Sequence, residues 1–279
     1  MKARQIFPLV VASLVVGVVS AKVIQRAGKL EGGEDVRMRA DVPWAPLNPL
    51  RGDKSPKAGA LWGDRTGEGA SGFLVEFVDG FSSPPHIHNV TYRGVVISGL
   101  VHNDDPEAEE MWMPAGSFWT QPAGEVHITS ARGEKTVAYI EIQEGPYLVM
   151  PAAEKFDEGE RPVNVDVSNI IWLGHEDTQW IDGVAGPEVA FLWGKPGEVG
   201  GAFVKLPGGF AGEIRSEGGA IRAVVIQGSP KYERDGEARD LEPGSFFGSD
   251  GQAVHRLVGE GEGVIYVRTE GAFEVGRRE

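Results

Sequence analysis

Cysteine is absent from the 279 residues. Its absence excludes disulfide frameworks, zinc fingers, iron–sulfur clusters and thiol nucleophiles, so any metal must be held by nitrogen or oxygen. Positive charge is scarce: 27 Lys and Arg face 41 Asp and Glu, a formal net charge of -14. None of the basic residues cluster, and phosphate backbones or anionic lipid would repel such a chain, so nucleic acid is excluded as a partner. Sustained 3.6-residue apolar periods are missing as well, which rules out a helical bundle or coiled coil. What is plentiful is Gly (40) and Pro (18), set against 41% hydrophobic residues. That is too apolar for a disordered chain, and it predicts many short strands separated by turns.

One long uncharged run, Ile6 to Ala21, follows Lys2 and Arg4 and ends in Val19-Ser20-Ala21. It is shorter than the roughly 20 residues a spanning helix needs, has small residues where a signal peptidase cuts, and lacks the Cys of a lipoprotein anchor. Residues 1–21 therefore read as a secretory signal peptide and 22–34 as a polar leader. The mature chain is expected in the periplasm or secreted, without membrane contact after cleavage.

The remainder contains an internal repeat. Ala60-Leu61-Trp62-Gly63 recurs as Phe191-Leu192-Trp193-Gly194, and Arg93-Gly94-Val95-Val96-Ile97-Ser98-Gly99 as Arg222-Ala223-Val224-Val225-Ile226-Gln227-Gly228. Gly116-Ser117-Phe118 then aligns with Gly244-Ser245-Phe246, and His127 with His255, in the same order and at nearly constant offset. A collinear repeat of this length implies two copies of one supersecondary unit. The expected boundaries are 35–155 for the first β domain, 156–164 for a charged linker and 165–279 for the second.

Chemistry concentrates in the first copy. His86 and His88 lie two residues apart, so on an extended strand they share one face and can chelate one ion. Farther on, Pro122 and Gly124 form a turn ahead of His127. This ordering resembles the cupin superfamily, whose motifs are written G-x5-H-x-H-x3,4-E-x6-G and G-x5-P-x-G-x2-H-x3-N. Gly80, His86, His88, Gly99, Gly116, Pro122, Gly124 and His127 occupy matching positions. With the repeat, the chain resembles a two-cupin protein of an exported bacterial family of unknown function. The resemblance implies an all-β fold of two tandem double-stranded β-helix (jelly-roll) barrels, with the His cluster inside the first.

The position at which cupins usually carry a fourth, Glu ligand is read here as Arg93. Arg has no lone pair to offer a metal. The expected centre is therefore three-His, similar to those of acetylacetone-cleaving dioxygenase and cysteine dioxygenase. It would hold one divalent transition metal, Fe, Zn, Mn, Ni or Cu, since all accept imidazole. Arg93 has two readings: an inward cation that neutralises a bound anion as a catalytic group, or a rim residue paired with an acid such as Glu141. In the second copy, Arg215 aligns with His86, Glu217 with His88 and Arg222 with Arg93, while His255 persists. That barrel is expected to be structural, or else an anion pocket of Arg215, Arg222 and His255 oriented by Glu217.

Other signals carry less. Gly67-Glu68-Gly69-Ala70-Ser71-Gly72 matches G-x-G-x-x-G but precedes a strand, so it reads as a hairpin turn. Arg51-Gly52-Asp53 and the sequon Asn89-Val90-Thr91 are short enough to arise by chance. His102 and His175 are expected in solvated loops, and the Trp residues in the core, with Trp119 nearest the barrel mouth. The functional expectation is an exported metal-dependent enzyme (dioxygenase-like, lyase or isomerase) acting on a small, anionic or neutral organic ligand. The alternatives are a non-catalytic metal- or ligand-binding protein and a module rigidified by Zn. The chain is expected to be a monomer or homodimer.

Overall fold

The computed structural model describes residues 34–183 and 186–277, so the expected signal peptide and all of the expected leader but Glu34 lie outside the described residues. The first ten strands are β1 (Glu34–Arg37), β2 (Trp44–Pro46), β3 (Lys57–Trp62), β4 (Ser71–Phe77), β5 (His86–His88), β6 (Tyr92–Asp104), β7 (Phe118–Gln121), β8 (Ile128–Ile142), β9 (Val149–Pro151) and β10 (Val163–Val165). Ten follow: β11 (Glu188–Gly194), β12 (Gly200–Leu206), β13 (Phe210–Ser216), β14 (Ile221–Gln227), β15 (Lys231–Arg234), β16 (Glu237–Asp240), β17 (Phe246–Ser249), β18 (Ala253–Gly259), β19 (Gly263–Thr269) and β20 (Phe273–Arg277). Helical structure among the described residues is limited to short 3-10 turns, and no helix there is long and apolar enough to cross a membrane.

A seven-stranded sheet, ordered β10-β7-β6-β8-β4-β3-β2, and the β5-β9 ribbon enclose one core. The long partners β6 and β8 slip register between Val96 and Leu100, so one pair of strands turns the corner of the barrel and lines both walls. Gly99 sits at that corner with φ +75°, and a Cβ there would meet Thr136 Oγ1 at 2.1 Å. In the later half the matching strands are separate elements, and the second core lies between a six-stranded sheet, β1-β17-β14-β19-β12-β11, and a five-stranded one, β16-β15-β18-β13-β20.

Two strands cross the expected boundaries. β1 opens the first expected unit in sequence but pairs with β17 of the later half, Val36 opposite Phe247. β10, at the end of the expected linker, pairs with β7 of the earlier half, Asn164 opposite Trp119. The halves thus exchange edge strands, which covers one edge of each large sheet.

Alternation along the strands produces three apolar layers. Phe73, Val75, Val96, Ala138 and Ile140 face the first barrel, and Val204, Ala223, Val225, Ile265 and Val267 face the second. Leu74, Val95, Ile97, Tyr139, Phe203, Val224, Ile226 and Tyr266 meet between the two large sheets. Both faces of these strands are therefore buried, which explains why Val95-Val96-Ile97 and Val224-Val225-Ile226 are continuous apolar runs rather than alternating ones.

Candidate metal centre

The strand β5 is only three residues long, yet it is fixed on both sides. It pairs with β9, and His86 exchanges two backbone hydrogen bonds with His127, N to O at 3.1 and 3.0 Å. Ile87 is fully buried on the reverse face, which turns His86 and His88 together toward His127. The turn before His127 is tied to the same strand, because Gly124 N donates to His88 O at 2.8 Å. Gly124 has φ +74°, and a Cβ there would lie 2.4 Å from Phe156 O, so this position requires glycine.

The ligating atoms of His86, His88 and His127 all lie within 4.8 Å of one another; His88 and His127 are buried and His86 is half-buried. Each Nδ1 rests on a backbone carbonyl: His86 on Pro84 O at 2.9 Å, His88 on Leu148 O at 2.8 Å and His127 on Glu125 O at 3.1 Å. A carbonyl oxygen only accepts, so each Nδ1 carries the proton and each Nε2 keeps its lone pair. Burial lowers the proton affinity of all three imidazoles, helped by their mutual proximity at His88 and His127, and His127 falls to about 3. Three neutral imidazoles with converging Nε2 atoms form a donor set that fits a divalent transition metal without prior loss of protons. Among the described residues this is the one group of three or more such side chains so arranged.

Two phenols complete the surroundings, and the sequence reading missed both. Tyr92 lies edge-on to His88 with its hydroxyl 3.3 Å from His127 Nε2, and Tyr147 stacks on His88 at 4.3 Å with its hydroxyl 3.2 Å from His88 Nε2. Burial raises the pKa of both. The motif allows either three or four residues between the second His and the acidic position, and the three-residue spacing selects Tyr92. Tyr147 carries no motif signal.

Arg93 is consequently corrected. Adjacent strand residues point to opposite faces, so with Tyr92 toward the imidazoles Arg93 turns to the layer between the sheets. Its guanidinium stacks 3.9 Å over the ring of Trp193, with Glu160 at 4.0 Å and Glu141 opposite it in register. It is not an inward cation beside the metal centre; the rim reading is the nearer of the two, with Trp193 as main partner.

The second barrel is corrected by one residue. Opposite His255 stands Ile214, as His86 stands opposite His127, because the chain from Leu206 to Ile214 is one residue shorter than that from Phe77 to His86. Ile214 and Ser216 thus replace the two imidazoles, and Ile221 replaces Tyr92. Arg215 faces outward, bonded to Glu213, Asp182 and Glu274 at 2.9, 3.1 and 3.2 Å. Arg222 holds Ser249 O at 2.7 Å and pairs with Asp250, while Glu217 is exposed. His255 is fully buried and satisfied by Tyr232 Oη at 2.9 Å and Ser249 Oγ at 3.0 Å. No anion pocket of Arg215, Arg222 and His255 forms.

Two smaller expectations also change. His102 is buried on β6 and bonded to Met111 O at 3.2 Å, because the strand runs on to Asp104 and the hairpin begins later than the acidic residues suggest. Asn89, set aside as part of a chance sequon, clamps the segment beside His88: its Nδ2 donates to Pro146 O and its Oδ1 accepts from Leu148 N, both at 2.9 Å. Trp119 is core, its ring lying against Gly94, while His175 is exposed as expected.

A family model described as Domain of unknown function (DUF4437) matches residues 35–276, and the chain belongs to that family. No curated protein matches it. Its fold is that of the cupin-type dioxygenases among solved structures. A candidate dioxygenase from Nostoc punctiforme is 14% identical, with 85% of this chain and 78% of that one covered and a TM-score of 0.60. The protein Ylba from E. coli is also 14% identical, over 88% and 94% of the two chains, with a TM-score of 0.60. A salicylate 1,2-dioxygenase from Pseudaminobacter salicylatoxidans is 14% identical over 72% and 71%, with a TM-score of 0.51.

Proposed function

We propose that the first barrel holds one divalent transition metal on the Nε2 atoms of His86, His88 and His127 and that the protein is a metal-dependent enzyme for a small oxygen-bearing organic molecule. The observation that carries the reading is the commitment of all three Nδ1 protons to backbone carbonyls, which aims three lone pairs at one point. An ion there would supply a Lewis acid for a bound oxygen and, if it were iron or copper, a redox centre. The chain's own groups do the rest. Carbonyls orient the imidazoles, Ile140, Ile142 and Trp119 keep the floor apolar, and half-buried His86 marks the side from which a ligand enters. Leu148 and Val149 are exposed beside His88, so the entrance has an apolar flank. Similarity of fold to dioxygenases supports oxygen chemistry as the first activity to assay.

Export by residues 1–21 belongs to the same proposal, and N-terminal sequencing of the secreted chain tests it. Metal analysis of the purified protein, followed by oxygen-uptake screening with β-diketones, thiols and hydroxy acids, tests the function. His86→Ala is expected to lower metal affinity at least tenfold, the scale of losing one ligand or its supporting group. Equal metal content in wild type and variant would overturn the metal reading, whereas a stable metal complex inert toward every substrate class would favour a binding role.

A further inference from the structure

Tyr92 and Tyr147 both bring a hydroxyl close to an imidazole Nε2, at 3.3 and 3.2 Å, but their protons are committed differently. Glu125 O can only accept, so Gln121 Nε2 faces it at 3.2 Å and Gln121 Oε1 accepts from Asn103 Nδ2 at 2.9 Å. That leaves Asn103 Oδ1 to accept from Thr129 Oγ1 at 2.7 Å and from Tyr92 Oη at 2.8 Å. The single proton of Tyr92 is thereby held inside the barrel, away from the imidazoles.

Tyr147 has no such partner. Among the described residues the one polar contact of its hydroxyl is His88 Nε2 at 3.2 Å, and because the two rings are stacked at an interplanar angle of 18°, the hydroxyl lies over the face of the imidazole and not along its in-plane lone pair. The lone pair that a metal ion needs is left clear. An ion can take it while the Tyr147 hydroxyl stays beside the centre with no protein acceptor in line with its proton. The ring is stacked on His88, packed edge-on to Phe73 at 5.5 Å, and held by the Asn89 clamp and by the 2.8 Å bond from Tyr147 N to Arg65 O. A half-buried donor is left facing the centre, where an unmet hydrogen bond is costly.

We propose that Tyr147 is the residue that binds the acceptor oxygen of the small ligand, a carbonyl or carboxylate, held at the ion, and that Tyr92 does not. The inference rests on the metal reading above. It names a ligand class, one that offers an unprotonated oxygen on the His88 side of the centre. It also assigns Asn89 as a positioning residue acting through Tyr147.

The test uses the full chain loaded with Co(II), whose visible spectrum reports ligands directly, titrated with acetate and separately with imidazole, which offers Tyr147 no acceptor oxygen. Tyr147→Phe is expected to retain Co(II) and to bind acetate about tenfold more weakly, the effect of one hydrogen bond, with imidazole affinity unchanged. Tyr92→Phe is expected to leave acetate affinity within about threefold of wild type. Asn89→Ala, which keeps the phenol but frees its segment, is expected to weaken acetate in the same direction as Tyr147→Phe. Wild-type acetate affinity in Co(II)-loaded Tyr147→Phe, or an equal loss in Tyr92→Phe, would overturn the proposal. Failure of the wild type to take up Co(II) would instead overturn the metal reading beneath it.

Discussion

At the scale of single residues, neutral buried histidine is the recurring device. His255, outside the three-His group, is held by Tyr232 and Ser249, and burial lowers its pKa to about 4. The folded protein therefore refuses a proton that the unfolded chain accepts near pH 6.5. Between those values the unfolded state binds more protons, so stability falls as pH falls. His255 is expected to remove on the order of 2–3 kcal/mol between pH 7.5 and 4.5. Denaturant unfolding across that range checks it, and in His255→Gln the slope of stability against pH should flatten. Arg93 and Tyr92 show how much one position matters. They are adjacent, and only the phenol reaches the centre because a strand turns alternate residues to opposite faces.

At the scale of elements, the exchanged strands set the stability of each large sheet. β1 adds to β17, and Val36 packs against the apolar layer of the second barrel. A chain beginning at Met38 is expected to lose about 2–3 kcal/mol, the burial of one apolar side chain plus an edge pairing, read as a lower melting temperature. Its metal affinity should stay unchanged, since β1 pairs with β17 of the second barrel and not with β5 or β8. A parallel loss of metal binding would show that the two barrels are coupled more tightly than their strand pairing implies.

At the scale of the whole molecule, the layer between the large sheets is a pseudo-symmetric cluster. Trp62 donates to Tyr139 Oη at 3.0 Å in one half and Trp193 to Tyr266 Oη at 2.8 Å in the other. Arg93 stacks on Trp193, and Arg222 lies 5.6 Å over Trp62. Symmetry breaks two residues beyond each Tyr, where the repeat places Glu141 opposite in kind to Arg268. Glu141 accepts from Tyr139 at 3.0 Å and Tyr266 at 2.6 Å; burial raises its pKa, countered first by Arg268. Arg268 is buried and its ion pair is with Glu270 at 3.5 Å, so it acts on Glu141 through space; Arg268→Leu is expected to cost about 2 kcal/mol, below the 3–5 typical of a broken buried pair, because Glu141 keeps both phenol donors and can take up a proton. Adding Glu141→Leu should recover much of that loss. Because this layer joins both barrels, thermal unfolding of the wild type should be one transition by calorimetry, and two resolved transitions would contradict the packing.

Sequence by itself determined the class of the fold and the three imidazoles of the candidate metal centre. Turn residues recurring at a fixed offset, runs of strand-forming residues and the His-x-His spacing are local properties, readable without knowing what any strand packs against. The absence of Cys likewise confined any metal centre to nitrogen and oxygen donors. Tertiary structure decided everything that depends on register. A slot ambiguous by one residue in the motif became Tyr92 rather than Arg93, and a segment shorter by one residue between Leu206 and Ile214 put Ile214, not Arg215, opposite His255. Tyr147 and Asn89 reached the centre through a segment with no motif, and β1 and β10 joined the other half's sheet. Since side chains alternate with period two, an uncertainty of one residue in sequence is a choice between opposite faces of a sheet, and only the three-dimensional pairing resolves it.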